Sequence, residues 1–201
     1  MKTCEYAGTP FTAPRSHPWS DTPSSGARYF DLTATPEHIR TSLEDFKPWA
    51  HYAAIEAFYK LLENLNRKGS ALESNDCAFE GPHRNENRAV PKALECSGRL
   101  MVLFRALARN TEKGQVLWMK NELHRALVPL DPNFQSGVVG TTLVPVRYLP
   151  LPKQDGGQLG EQLMISFWAW GNSELENMQN FARLLRSLTT ALRKVTALCA
   201  A

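Results

Sequence analysis

The sequence predicts an α+β fold: a small antiparallel β-sheet packed with about five helices and closed by a long C-terminal helix. Three observations carry that prediction. Residues 163–170, Leu-Met-Ile-Ser-Phe-Trp-Ala-Trp, are apolar on both alternating faces and stop at Gly171-Asn172, as a buried strand does. After that turn, Leu175, Met178, Phe181, Leu185, Leu188, Leu192 and Val195 recur at helical spacing over about seven turns. Upstream, 138–149 places Val144, Val146 and Tyr148 on one face of a second strand, which can pair with the first as a hairpin.

The remaining elements follow in chain order. Residues 1–34 contain Pro10, Pro14, Pro18 and Pro23 among Ser, Thr and Gly. Proline fixes φ and removes a donor, so an extended or disordered arm is expected there, ahead of a single domain at 35–201. Phe11 and Trp19 give the arm apolar anchors, and 29–32 is expected to add an edge strand. Thr35-Pro36-Glu37 has the order of a helix start, with Thr as N-cap and Pro in the first turn, and predicts a helix over 36–46 that Pro48 interrupts. A second helix over 49–67 aligns Tyr52, Ile55, Phe58, Tyr59, Leu62 and Leu65, with Gly69 as its terminating residue.

Residues 74–88 have turn formers and no periodicity, which predicts a polar loop. Pro91 then opens a third helix over 91–110, with Leu100, Leu103, Phe104 and Leu107 inward and Lys92, Arg99, Arg105 and Arg109 mainly outward. A fourth, over 113–127, carries Val116, Met119, Leu123 and Leu127 on one side. Pro145 puts the 138–149 strand at a sheet edge or a bulge, because proline cannot donate to the ladder. Ser173 and Glu176 form a capping box for the last helix, over 173–198.

Composition narrows the class. The chain has 201 residues, 43% hydrophobic and 21% charged, ordinary for a globular protein. No run approaches the ~18 apolar residues of a membrane span, and the N-terminus has no apolar secretory core. Cys4, Cys77, Cys96 and Cys199 are widely spaced and form no C-x-x-C pair, so free thiols and a cytoplasmic location are expected. The net charge of +3 hides an asymmetry: residues 1–81 hold eight Lys/Arg and eleven Asp/Glu, residues 82–201 hold fifteen and nine. The excess is densest over 84–125.

Three functional readings follow. No P-loop, dinucleotide, zinc-protease or nucleophile-elbow motif is present. With the aromatic strand and the apolar-containing arm, that favours a non-enzymatic protein-interaction module: an adaptor, inhibitor or immunity-type binder, self-association included. Its contact residues are Trp168, Trp170 and Met164, with Arg84, Arg88 and Arg99. The second reading is an enzyme using 74–99, where Cys77, His83 and Asn85 are the residue types of a thiol nucleophile, its base and an orienting amide. The third is nucleic-acid binding through 84–125, although that stretch lacks interleaved aromatics. Cys77, His83, Cys96 and His124 match no zinc spacing, and neither metal nor cofactor is expected.

Overall fold

A computed structural model describes residues 1–5, 13–19, 28–151 and 156–199. Strands β1 (Lys2–Glu5), β2 (Arg15–His17), β3 (Leu72–Arg84), β4 (Leu94–Phe104), β5 (Gly137–Tyr148) and β6 (Gln158–Gly171) form one sheet. The spatial order is β1-β5-β6-β4-β3, with β2 following β1 along the outer side of β5. The β3–β4, β4–β6 and β5–β6 pairs are antiparallel, while β1 and β2 run parallel to β5. Helices α1 (His38–Thr41), α2 (Ala53–Asn66), α3 (Gln115–Leu127) and α4 (Glu174–Cys199) complete the α+β architecture, with 3₁₀ segments at Glu44–Trp49 and Leu107–Thr111.

The sheet is therefore larger than expected and mixed, not small and antiparallel. The largest correction is the expected 91–110 helix, most of which is β4. Leu100 to Phe104 satisfies a helical stripe only if Met101 and Val102 are ignored. All five are fully buried, because alternate residues face opposite sides of the sheet. Cys96, Leu100, Val102 and Phe104 meet the helices, while Met101 and Leu103 enter a second apolar cluster. The expected 74–88 loop is mostly β3. Its alternation is hidden by register shifts between Ser74 and Asp76 and between Glu80 and His83. The edge strand lies at 2–5 and 15–17, not at 29–32.

Smaller corrections concern helix ends. The 36–46 helix shrinks to α1 and a 3₁₀ segment, and Thr35 turns its hydroxyl to Asp31 O instead of capping. The second helix starts at Ala53, and Gly69 (φ 81°) sits in a turn closed by Ser70 N–H to Arg67 O, beyond the extended C-cap Arg67. Leu175, expected in the final stripe, is 57% exposed. Phe11 of the arm lies outside the described residues.

The pairing of β5 with β6 and the helix that follows are as expected, although β6 begins at Gln158 and not at 163. Leu163, Ile165, Phe167 and Ala169 face α2 and α4, where the Phe167 ring meets Phe58 and Phe181 at 5.6 and 5.7 Å. Each such buried ring contributes about 1.5–3 kcal/mol before entropy is subtracted. The strand-to-helix corner is tied by Glu176 N–H to Ser173 Oγ (3.2 Å) and by Asn177 Nδ2 to Ala169 O (2.8 Å). The Glu176 carboxylate accepts from the Asn172 N–H, one residue before the position a capping box predicts.

The sheet's other face is concave. Four strand spacings of about 4.8 Å would put β2 and β3 about 19 Å apart in a flat sheet, beyond the reach of one arginine. Yet Arg15 Nη1 of β2 lies 2.6 Å from Asp76 Oδ2 of β3. The sheet must curl to bring its edges together. At that end Met101, Leu103, Val144, Val146, Tyr148 and Met164 form the second cluster, with Leu107 and Leu151 against it. Buried Asn75 bridges His17 Nδ1 (2.9 Å) and Gln162 Oε1 (3.2 Å), and Trp19 Nε1 donates to Asn75 O (2.8 Å). Residues of the same chain thus close the apolar half of this face: Leu107 and Leu151 pack on the cluster, and His17 of the arm lies against Tyr148 at 5.7 Å.

Candidate functional site

Among the described residues the other end of the concave face is left open, and the strand register builds a pocket there. Two cross-strand rows run beneath it, and all of their residues but Ser97 line it. Val138, Trp168, Ser97 and Glu80 are successive neighbours across β5, β6, β4 and β3; Trp170, Glu95 and His83 form the next row. Strand alternation sends these residues to the face away from the helices. The β3–β4 hairpin overhangs the floor and adds Arg84, Glu86 and Asn87 to a cavity of about 610 Å³.

Each polar side chain has an identifiable anchor. The Trp170 indole is 7% exposed and donates to Glu95 Oε2 at 2.6 Å, which satisfies a buried N–H and fixes the carboxylate. His83 Nδ1 is 3.0 Å from Gly81 O, and its Nε2 is 3.9 Å from Glu95 Oε1. Glu80 Oε1 lies 3.9 Å from the Nδ1 side of the same ring. Trp168 is partly exposed. The pocket combines indole walls with the carboxylates of Glu80, Glu86 and Glu95 against the single guanidinium of Arg84.

The expected site residues separate. Cys77 faces the helices from β3, whereas His83 lies on the opposite face, because Cys77 pairs with Leu100 and His83 with Glu95. The structure does not bring this thiol and this imidazole together, since the sheet lies between them. Burial, helped by Asp76, also pushes the Cys77 thiol well up, which disfavours a thiolate. Asn85 organises the hairpin loop: its Nδ2 donates to Val90 O (3.0 Å) and Lys92 O (2.9 Å), and its Oδ1 accepts from Asn87 N–H. Cys96 is buried beneath the helices, and His124 Nε2 lies 2.7 Å from Thr141 Oγ1. Among the described residues no three His, Cys, Asp or Glu side chains are grouped to hold a metal ion.

Met164 is buried in the second cluster and Trp170 in the pocket wall, so of the three aromatic-strand residues Trp168 alone stays accessible. Arg88 is exposed on the hairpin, and Arg99 meets Asp76 at 3.2 Å. The basic excess over 84–125 is dispersed. Lys92 pairs with Glu176, Arg105 with Glu73, Lys120 with Glu5 and Arg125 with Glu122. These pairs lie on different elements and do not make one anionic-ligand surface. Glu80 and Glu95 were missed as site residues. Alternation through β3 and β4 would have found them, had those segments not read as a loop and a helix.

No helix among the described residues is long and apolar enough to cross a membrane. No protein-family model matches the chain, and neither a curated protein nor a solved structure matches it.

Proposed function

We propose that this chain is a non-enzymatic protein-interaction module, of the adaptor, inhibitor or immunity type, that docks a partner at the open end of its concave sheet. The observation that carries this reading is the division of that face. Its apolar half is packed by the chain's own residues, with Leu107 and Leu151 against the cluster and His17 of the arm beside Tyr148, while its other half keeps Trp168 accessible in a pocket. Partly exposed aromatic side chains in well-formed concavities are typical anchors of protein interfaces. The dispersal of the cations supports this reading over a nucleic-acid one, and the separation of Cys77 from His83 supports it over a thiol enzyme. A cytoplasmic setting agrees with the four free cysteines.

The test compares the immobilised protein with Trp168→Glu in the pocket and with Leu198→Glu, a control on the exposed side of α4. Native-cell extract is passed over each, and the oligomeric state of each is measured by light scattering. A partner, or a second copy, held by wild type and the Leu198 variant and lost from the Trp168 variant is the expected result. Identical retention and identical mass for all three, with unchanged circular dichroism, overturns the reading.

A further inference from the structure

We propose that the pocket receives the guanidinium of an arginine side chain presented by the partner, an inference that rests on the interaction reading above. The argument turns on two facing acceptors. Gly81 O can only accept, so the His83 Nδ1 beside it carries the proton, and in the neutral ring Nε2 presents a lone pair. That lone pair faces Glu95 Oε1 across 3.9 Å, beyond the range of a direct hydrogen bond. Two acceptors at this spacing are satisfied together by a donor that enters between them. The second Glu95 oxygen is occupied by the Trp170 indole, so the carboxylate cannot turn away.

Charge and shape select which donor. Glu80, 70% exposed at the rim, adds a carboxylate on the far side of the His83 ring. Arg84 also lines the pocket, but Glu86 of the same hairpin offsets it. A cation is therefore favoured. The guanidinium carries its N–H groups as a rigid planar fork that can bridge carboxylate and imidazole acceptors, and it stacks on flat indole walls. An ammonium is a compact point charge with no plane to match. The volume of about 610 Å³ admits a whole side chain with its stem, far more than a single metal ion fills.

The experiment titrates isotope-labelled protein with a blocked Gly-Arg-Gly peptide and with its citrulline counterpart. Citrulline keeps the planar shape and loses the charge. The readout is the indole N–H resonances of Trp168 and Trp170, assigned through Trp→Phe variants. The expected result is a saturable shift with the arginine peptide, binding weaker by roughly tenfold or more with citrulline, and loss of the shift in Glu95→Gln. That variant keeps an acceptor for Trp170 and removes the charge. Should it fail to fold, Glu80→Gln at the exposed rim reads the same loss. Equal response to both peptides, or no saturable response in wild type, overturns the proposal. The two readings fail separately. A Trp168-dependent partner with a silent arginine peptide removes only the arginine. Selective arginine binding with no Trp168-dependent partner removes the docking face and keeps the cation pocket.

Discussion

Gly98 shows how much one missing methyl decides. A Cβ there would lie 2.2 Å from the Phe167 ring, which is fully buried among Phe58 and Phe181 and has nowhere to move. Gly98→Ala is expected to destabilise by about 1–3 kcal/mol through overpacking, read as a lower urea midpoint with unchanged slope. An unchanged midpoint would mean that the ring yields. Glu95 makes a second test at this scale. Glu95→Ala strands the Trp170 indole N–H in a buried wall, at a cost of about 1–3 kcal/mol, while Glu95→Gln preserves the acceptor and costs less. Equal losses in the two variants would show that the hydrogen bond is not the stabilising contact. Neither effect was legible in the sequence. Gly98 and Phe167 are distant in the chain, and only the β4–β6 register sets them opposite each other.

Element boundaries were legible where one periodicity operates alone. Whereas β6 starts at Gln158, five residues before the expected 163, the helix α4 and the strand β5 each obey a single repeat and fall close to their expected limits. The segments β3 and β4 do not. β3 hides its alternation behind two register shifts, and β4 is apolar on both faces, which a helical stripe can imitate. That confusion concealed the pocket, since Glu80, His83 and Glu95 share a face only if both segments are strands. The edge-to-edge closure yields an element-scale prediction. Asp76→Ala removes the carboxylate approached by Arg15 and Arg99. The expected loss is about 2–3 kcal/mol, below the range for a fully buried pair because the Arg99 side chain is 33% exposed. Trypsin cleavage after Arg15 should accelerate as the arm loosens. An unchanged cleavage rate would show that β2 pairing alone holds the arm.

At the scale of the whole molecule, stability should depend on pH through buried histidines. His17 is held below its ordinary value of 6.5 by burial, which outweighs the attraction of Asp31. His124 is lowered by burial and then by Lys120, against the pull of Glu5. Groups with depressed folded values leave the unfolded chain binding more protons, so stability is full above about pH 6.5 and falls as pH drops toward the folded values. Urea midpoints should therefore fall between about pH 7.5 and about pH 5.5. His17→Asn should flatten the dependence. Glu73, raised chiefly by burial, works in the opposite sense, because it favours protonation on folding. Glu73→Gln should then steepen the loss. A midpoint independent of pH over this range in Glu73→Gln, where the opposing carboxyl is gone, would show that neither histidine is held neutral.

The sequence by itself determined the α+β class, the terminal helix with its Ser173 cap, and the two-faced strand 163–170, because each is a local repeat written in consecutive residues. It also showed that Met164, Trp168 and Trp170 would need a cover. Only the tertiary structure decided what that cover is. Curling of the sheet brings Arg15 to Asp76, Leu107 and Leu151 pack on Met164 with Tyr148 and Val146, and His17 of the arm meets Tyr148, while the β3–β4 hairpin makes Trp168 and Trp170 part of a pocket lining. Curl and cross-strand register depend on residues far apart in the chain, and no local repeat encodes them.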